Sequence, residues 1–226
     1  MSLLPGGAEL IADLEQRFVT VNDDVRVGSR NVNILRPRSA EDLISETDFD
    51  RDERLPYWAE LWPSSTILAN FIVAENGPRG SAIELGAGVG LVSIAAAIAG
   101  HQITASDYYE DALAFARANA FRNLGRDIDT ALIDWRDVAS DIPRFDLVLA
   151  SDVLYESRYA PLVAGVVHRL LTDSGVAYVA DPGRVAANAF TDACVELGLS
   201  VRTSATRPYQ AGHVRQTITV YAVTRG

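Results

Sequence analysis

The feature that most constrains the fold is an alternation of short apolar strands and helix-like segments that begins at residue 81. Strands are predicted from runs of β-branched and apolar residues, and helices from apolar residues spaced three and four apart. The predicted strands are residues 81–85, 102–106, 129–133, 145–150 and 175–180. The predicted helices are residues 91–99, 110–122, 159–171 and 185–197. This alternation is typical of a parallel sheet covered by helices on both faces.

Two further strands, residues 199–202 and 217–223, follow with little helix between them. A loop that contains Pro208 and Gly212 joins them, so they are predicted to form a hairpin. A hairpin places one antiparallel strand in the otherwise parallel sheet. We therefore expect an α/β, Rossmann-like, doubly wound fold with a seven-stranded sheet, mostly parallel and with an antiparallel last strand.

The first part of the chain lacks this alternation. Residues 1–55 are expected to form a small N-terminal extension that packs on a domain of residues 56–226. The extension is predicted to contain a helix at residues 8–18 and strands at residues 18–21 and 32–35. The acidic stretch of residues 41–53 is expected to be exposed to solvent.

Composition argues against several classes of function. The chain of 226 residues has a net charge of −10, whereas nucleic-acid binding requires clustered basic residues. The longest apolar run, residues 91–99, is shorter than the ~20 residues of a membrane span. The start of the chain has no basic and apolar segments of a secretory signal. We expect a cytoplasmic protein that binds neither nucleic acid nor membrane.

The candidate metal ligands are few and scattered. The chain has one cysteine and three histidines, with no spacing typical of a metal site. These residues are Cys194, His101, His168 and His213. No metal site is predicted.

The loop between the first strand and helix of the alternating region is rich in glycine. Residues 84–90 read Glu-Leu-Gly-Ala-Gly-Val-Gly, which lets the backbone approach a ligand at the helix N-terminus. The dinucleotide fingerprint is not met, because its third glycine would fall at Leu91. A Walker loop requires a lysine, and the chain has none. The negative charge of Glu84 would repel a pyrophosphate but suits a ligand with a cationic amino group.

Acidic and aromatic residues follow the next strands, at the sheet edge where α/β proteins bind ligands. Asp107 ends the second strand, 21 residues after Gly86, and is placed to accept hydrogen bonds from a ribose diol. Asp134 and Trp135 follow the third strand and are candidates to bind an adenine amino group and cover its ring. Trp135 fits equally well as an apolar cap on the sheet.

The fourth strand is followed by Asp152 and Tyr155, at the same predicted edge. Asp152 has an alternative interpretation as the N-cap of the next helix, and Tyr155 has one as a packing residue. The coincidence of such residues at four successive strand ends favours a binding site over four separate structural roles.

Together these residues resemble the class I (seven-strand) S-adenosylmethionine-dependent methyltransferases over roughly residues 55–226. A narrower resemblance is to the family 16 lysine-methyltransferase-like group, which includes nicotinamide N-methyltransferase-like proteins. It is carried by residues 55–65, Leu-Pro-Tyr-Trp-Ala-Glu-Leu-Trp-Pro-Ser-Ser, and by residues 152–155, Asp-Val-Leu-Tyr. The chain departs from many animal members at Arg136, where they have glycine after Asp-Trp.

The resemblance implies a set of site residues. Asp152 and Tyr155 would be catalytic and would line the channel of the methyl acceptor, which Trp58 would border. The cofactor S-adenosylmethionine, without a metal, would be bound by Trp62, Glu84, Gly86, Ala87, Gly88, Gly90, Asp107, Tyr108, Asp134, Trp135 and Ser151.

The function that the resemblance implies is methyl transfer to an amine nitrogen, of a protein lysine or an N-terminal amine. A small-molecule amine, nicotinamide-like or metabolic, is an alternative acceptor. A third interpretation is a module that binds the cofactor without catalysis. An NAD-dependent oxidoreductase is disfavoured by Glu84 and Leu91. The oligomeric state is left open.

Overall fold

The computed structural model describes residues 6–43 and 56–226. Within these ranges the main sheet has seven strands, in the spatial order β5-β4-β3-β6-β7-β9-β8. They are β3 (Ser81–Leu85), β4 (Gln102–Asp107), β5 (Asp129–Leu132), β6 (Phe145–Ser151), β7 (Leu171–Asp181), β8 (Leu199–Ala211) and β9 (Val214–Arg225). A separate two-stranded sheet pairs β1 (Thr20–Val27) with β2 (Arg30–Pro37).

The helices cover both faces of the main sheet. They are α1 (Gly7–Arg17), α2 (Pro63–Ala74), α3 (Leu91–Ala99), α4 (Glu110–Leu124), α5 (Tyr159–Leu170) and α6 (Ala186–Glu196). Short 3-10 turns occur at Glu41–Leu43 and Tyr57–Ala59. In the described ranges, no helix is both long and apolar enough to span a membrane.

The strand order confirms the doubly wound α/β fold predicted from the sequence. β3 lies at the centre between β4 and β6, and all these pairings are parallel. The direction in which successive strands are added reverses between β3 and β6, which is where such sheets open a crevice for ligands. β9 pairs antiparallel with β7 and β8, so the antiparallel last strand is also confirmed.

The closing hairpin is longer than predicted. Pro208, expected in the connecting loop, lies within β8 opposite Thr217, and the turn is at Gly212 and His213. β8 is an edge strand, where the missing N–H of a proline is tolerated. The prediction was wrong because this part of the hairpin is mostly polar and exposed, so it has no apolar alternation to reveal it.

Apolar side chains fill both faces of the sheet. Along β6, Leu147 and Leu149 pack in the cluster that contains Phe115 of α4, whereas Val148 packs in the cluster that contains Phe190 of α6. Successive residues of a strand point to opposite faces, so a strand buried on both faces must be apolar throughout. This explains the uninterrupted apolar run that predicted β6.

The N-terminal segment packs on α4 through a buried amide. Asn119 Oδ1 accepts a hydrogen bond from the Leu35 N–H at 2.7 Å, and its Nδ2 donates to the Leu35 carbonyl at 2.8 Å. The same Nδ2 donates to the carbonyl of Val89 in the glycine loop at 2.9 Å. Asn119 therefore joins β2 to the loop. The domain boundary near residue 55 stays a prediction, and residues 44–53 of the acidic stretch lie outside the described residues.

Replacement of Asn119 by alanine should destabilise the fold. The substitution leaves a buried N–H and two buried carbonyls without their amide partner, which we expect to lower the free energy of unfolding by about 3 kcal/mol. Urea denaturation followed by circular dichroism measures the change. Asn188→Ala, at an exposed position of α6, is the matched control and should change stability by less than ~0.5 kcal/mol. Equal stability of the two variants would contradict this role for Asn119.

Candidate functional site

A cavity of about 260 Å³ opens at the carboxyl ends of the parallel strands. It is near the lower end of the ~300–1,000 Å³ usual for small-molecule sites. Every site residue named from the sequence except Gly90 lies on its wall. Residues of the segment from Tyr57 to Trp62 also line it.

The glycine loop adopts a backbone that other residues would strain. Gly86, Gly88 and Gly90 have φ angles of +67°, +51° and +88°. A Cβ at Gly88 would lie 2.9 Å from the Trp58 carbonyl oxygen, and one at Gly90 would lie 2.8 Å from the backbone of Ala116 in α4. Gly90 thus serves helix packing at the N-cap of α3, whereas Gly86 and Gly88 line the cavity.

Glu84 is a buried carboxylate at the base of the glycine loop. It is 1% exposed, and its Oε2 accepts a hydrogen bond from Ser93 Oγ of α3 at 2.5 Å. Burial raises the pKa of Glu84 to about 8; the hydrogen bonds from Ser93 oppose this rise, and the charge of Asp107 adds to it. A cation bound in the cavity would stabilise the ionised form of Glu84.

Asp107 connects the end of β4 to the glycine loop. Its Oδ2 accepts a hydrogen bond from the Gly88 N–H at 2.9 Å, and its Oδ1 accepts one from the Tyr109 N–H at 3.1 Å. Burial raises the pKa of Asp107, and these backbone hydrogen bonds oppose the rise. A carboxylate has about four lone-pair sites, so Asp107 keeps some capacity to accept a hydrogen bond from a ligand hydroxyl.

The end of β5 carries an ion pair that involves Arg136. Its Nη2 lies 2.6 Å from Asp134 Oδ2, and its Nε is 3.0 Å from both carboxylate oxygens. The guanidinium carbon is 5.9 Å from the centre of the Tyr108 ring. A ligand amino group at Asp134 would therefore share the carboxylate with Arg136. The departure from the family pattern at this position gives Asp134 a partner within the chain.

Trp135 packs between the glycine loop and α5. Its ring meets the ring of Tyr159 edge-on at 5.9 Å and lies 3.4 Å from where a Cβ of Gly86 would be. Trp135 lines the cavity and also packs against the apolar cluster on the α5 face. Both interpretations of Trp135 from the sequence are thus compatible with its position.

The aromatic segment before α2 spans the cavity. The Trp58 ring packs against Phe115 and Tyr109, beside the glycine loop. Trp62 Nε1 donates a hydrogen bond to the Tyr57 carbonyl at 3.0 Å. The Tyr57 ring contacts both the Trp62 ring at 5.9 Å and the Tyr155 ring at 5.2 Å. Tyr57, which the sequence reasoning missed, thus joins the aromatic segment to Tyr155.

Asp152 has the most unusual environment in the site. Among the described residues it is the only non-glycine residue with positive φ, at +57°. Its side chain is 3% exposed, and its Oδ1 accepts hydrogen bonds from Arg184 Nη2 at 2.7 Å and Nε at 3.1 Å. Its Oδ2 is buried and has no hydrogen-bond partner within the described ranges.

The interpretation of Asp152 as a helix N-cap is wrong. The next helix, α5, begins at Tyr159, and its N-cap is Arg158. A buried polar atom without a partner is costly, and in native structures it often marks a functional site. Asp152 lines the cavity, and its Oδ2 keeps an unused capacity to accept a hydrogen bond.

The sequence reasoning missed Arg184, which lines the cavity, and Asp181, which holds the backbone of Arg184. Asp181 ends β7, and its Oδ1 accepts hydrogen bonds from the N–H groups of Gly183 and Arg184, both at 2.7 Å. Burial raises the pKa of Asp181, and the hydrogen bonds from those two N–H groups oppose the rise. The rule that predicted Asp107 and Asp152, acids at strand ends, would also have found Asp181.

No metal centre is found in the part of the chain that the structure describes. Residues 6–43 and 56–226 contain no group of three or more His, Cys, Asp or Glu side chains that could hold a metal ion. Cys194 is buried on the α6 face, away from the cavity lining.

The fold is similar to those of solved methyltransferases. One is the magnesium protoporphyrin IX methyltransferase of Synechocystis PCC 6803 with bound SAM, at a TM-score of 0.58 and 20% identity, over 81% of this chain and 94% of that one. Another is the glycopeptide N-methyltransferase MtfA, at a TM-score of 0.55 and 16% identity, over 72% and 94% of the two chains. At this identity the likeness shows the fold alone.

Sequence relatives are protein methyltransferases. Protein N-lysine methyltransferase METTL21A of Mus musculus is 36% identical over 49% of this chain and 54% of its own length. EEF1A lysine methyltransferase 3 of Mus musculus is 32% identical over 58% of each chain. The chain thus spans about half the length of the curated relatives it matches.

The family assignment rests on a longer match. The model of the lysine methyltransferase family matches residues 49–191, which is more than half of the chain and includes the glycine loop, Asp107, Asp152 and Arg184. The order of the strands and the cavity at their carboxyl ends agree with this match. The chain belongs to the lysine methyltransferase family.

Proposed function

We propose that the protein transfers a methyl group from S-adenosylmethionine to the amine nitrogen of a lysine side chain in another protein. The single observation that carries the proposal is Asp152, a residue of the cavity wall whose buried Oδ2 has no hydrogen-bond partner among the described residues. An acceptor amine has N–H groups that this oxygen can bind. Family membership and the relatives named as protein N-lysine methyltransferases support the same activity.

The chemistry of the cavity fits the cofactor. Glu84 is suited to the α-amino group, because a cation there offsets the cost of its burial. Asp107 is suited to the ribose hydroxyls, since its carboxylate lines the cavity and keeps capacity to accept a further hydrogen bond. We assign adenine to the space beside Trp135 and Tyr108, with Ala87 and Ser151 also among the residues that line the cavity. When bound, the cofactor supplies a methyl group on a positively charged sulfur and leaves as S-adenosylhomocysteine.

The residues of the chain hold and align the acceptor. Asp152 Oδ2 accepts a hydrogen bond from the acceptor nitrogen and fixes the direction of its lone pair. The rings of Tyr57, Tyr155 and Trp62 form an apolar wall that excludes water from the nucleophile. Such alignment and desolvation are the main contributions of a protein to a displacement reaction.

The names of the relatives favour a protein acceptor over a small amine. Most of these names also favour lysine over arginine. One relative, histone-arginine methyltransferase METTL23 of Xenopus laevis, is 27% identical over 60% of this chain. The net charge of −10 suits a basic acceptor surface. Small amines and arginine are outcomes that the experiments distinguish. The cytoplasmic location and the absence of nucleic-acid partners stay predictions.

Labelling of a cell extract tests the proposal. The purified protein is incubated with methyl-labelled S-adenosylmethionine and extract from its own source, with and without excess S-adenosylhomocysteine. We expect label in discrete protein bands that the excess product suppresses. Label confined to the small-molecule fraction would contradict a protein acceptor and indicate that the acceptor is a metabolite. Tight cofactor binding without any transfer would favour the non-catalytic module.

The affinity for S-adenosylhomocysteine should increase with pH. Burial raises the pKa of unliganded Glu84 to about 8, so at a lower pH the side chain carries a proton. Glu84 must lose this proton to pair with the ligand's ammonium. The dissociation constant should therefore fall by up to about tenfold per pH unit between pH 6 and 8, and level off above. Isothermal titration calorimetry measures it.

Two variants separate this effect from the titration of other groups. Glu84→Gln should bind more weakly and lose the dependence on pH. Glu196→Gln, at an exposed position at the end of α6, is the matched control and should keep it. A pH-independent affinity of the wild-type protein would show that Glu84 does not bind the amino group.

A further inference from the structure

The carboxylate assigned to the acceptor already has a cation beside it. The Arg184 guanidinium donates two hydrogen bonds to Asp152 Oδ1, through Nη2 at 2.7 Å and Nε at 3.1 Å. The guanidinium carbon also lies 5.7 Å from the centre of the Trp62 ring, and both residues line the cavity. Only Oδ2 of Asp152 is left for the acceptor.

The position of Arg184 is fixed from its backbone as well as its side chain. Its N–H donates to Asp181 Oδ1 at 2.7 Å, and its side chain is 31% exposed, on the cavity wall. Two N–H groups of one planar guanidinium converge on a single carboxylate oxygen here, a fixed geometry that an ammonium cannot reproduce. Arg184 is thus held as a charge at the acceptor end of the site.

We infer that Arg184 is a positioning residue that makes the site select the neutral amine form of the acceptor over the ammonium form. The inference rests on the proposed function and deepens it. An ammonium has no lone pair with which to attack a methyl group, so an N-methyltransferase must bind or generate the amine. Arg184 neutralises Asp152 and repels a second cation, while Oδ2 still accepts a hydrogen bond from the N–H of a neutral amine.

The proton and electron balance of the step follows. The acceptor ammonium first releases one proton to solvent, which frees the nitrogen lone pair. That pair forms the new carbon–nitrogen bond, the carbon–sulfur bond breaks, and its electron pair remains on sulfur. Arg184 repels the full positive charge of a bound ammonium. It repels the partial positive charge that develops on the nitrogen during transfer less strongly. Arg184 therefore raises the energy of the unproductive complex more than that of the transition state.

Other charged and titratable groups face this end of the site. Glu156 after β6, Tyr159 of α5, Tyr155 and Tyr57 line the cavity. Asp181, at the end of β7, does not line it but lies close enough to interact with the charges of Asp152 and Arg184. Asp181 and Glu156 attract a cation, and Glu156 is paired with Arg158 at 2.7 Å. Arg184 is the cation that contacts Asp152 directly, so its removal should leave the acceptor end net negative.

Equilibrium binding of two probes tests the inference. In the presence of S-adenosylhomocysteine, Nα-acetyl-lysine amide serves as a cationic probe at pH 7, and Nα-acetyl-norleucine amide as a neutral one. We expect Arg184→Gln to bind the lysine probe at least about tenfold more tightly than the wild-type protein does, with unchanged affinity for the norleucine probe. Ligand-observed NMR measures both affinities. No gain for the lysine probe, or equal changes for the two probes, would overturn the inference.

The pH dependence of the kinetic constants is a second test, because a residue with a purely structural role would not change it. With an acceptor protein identified by extract labelling, Arg184→Gln should lower both KM and kcat at pH 7, and its kcat should recover as the pH rises towards 9. Arg184→Lys keeps the charge and should retain the wild-type pH profile even where kcat is lower. A loss of kcat by the same factor at every pH would mean that Arg184 only maintains the local structure.

The two tests distinguish this inference from the proposed function. If the wild-type protein labels no protein, the proposed function fails, but the comparison of probes still measures charge selection at Asp152. Arg207→Gln, which removes an exposed guanidinium from β8, is the matched control and should alter neither readout. Circular dichroism and the affinity for S-adenosylhomocysteine verify that each variant is folded.

Discussion

Asp152→Asn is expected to reduce the rate of methyl transfer by about 100-fold or more while it leaves the affinity for S-adenosylhomocysteine within about threefold of wild type. The substitution removes the charge that pairs with Arg184 and replaces one acceptor oxygen by an N–H₂ donor. If that amide group takes the place of Oδ2, it cannot accept a hydrogen bond from the acceptor nitrogen. Asparagine is preferred to alanine as the test, because it tolerates the φ of +57° at this position.

The control for this variant is Asp173→Asn, at a side chain that is 87% exposed. It should transfer methyl groups at the wild-type rate, since it makes the same change in charge at a residue that does not line the cavity. Transfer at the wild-type rate by Asp152→Asn, in a protein that binds the cofactor product normally, would rule out Asp152 as the residue that holds the acceptor.

The second large effect is expected at Asp107. Asp107→Asn replaces one of the two oxygens that accept the N–H groups of Gly88 and Tyr109, so an amide donor would face a backbone donor. It also removes acceptor capacity from the ribose site. We expect the affinity for S-adenosylhomocysteine to fall about 100-fold, which corresponds to about 2.7 kcal/mol.

Calorimetry at a fixed pH measures this loss, with Asp129→Asn at the exposed start of β5 as the control. The control should bind as the wild-type protein does. If Asp107→Asn keeps its affinity although it is folded, the nucleoside does not bind at the end of β4.

Much of the fold follows from local sequence signals. β3, the glycine loop and α3 were predicted at residues 81–99 because an apolar strand, turn-forming glycines and a helix N-terminus succeed one another within a short stretch. β8 and β9 were predicted too short, since their exposed polar residues pack against neither apolar cluster. The sequence therefore predicts best the helices and strands whose buried apolar residues recur at a regular spacing.

The candidate site was predictable only in part. Acids at strand ends can be found once the strands are known, and Asp107 and Asp152 were found in this way. Arg184 was not, because its role depends on a contact between the ends of β6 and β7 that no spacing in the sequence reveals. For the same reason the side-chain partner of Glu84 in α3, Ser93, was missed.

The orientation of the two tryptophans shows a further limit. The resemblance assigned Trp58 to the acceptor channel and Trp62 to the cofactor. In the structure the Trp58 ring packs beside the glycine loop, and Trp62 lies under the Arg184 guanidinium near Asp152. Both residues line the same cavity, and their roles stay predictions. Motif residues can thus be placed in a site without knowledge of which end of it they face.

The most direct test of the central claim is the chemical identity of the methylated product. Proteins of the extract that become labelled are hydrolysed completely, and the labelled amino acids are separated by chromatography against standards. The site geometry and the family predict that the label elutes as Nε-methylated lysine. Label that elutes as methylated arginine, or as an amino acid methylated on a group other than an amine, would contradict the assignment of lysine as the acceptor.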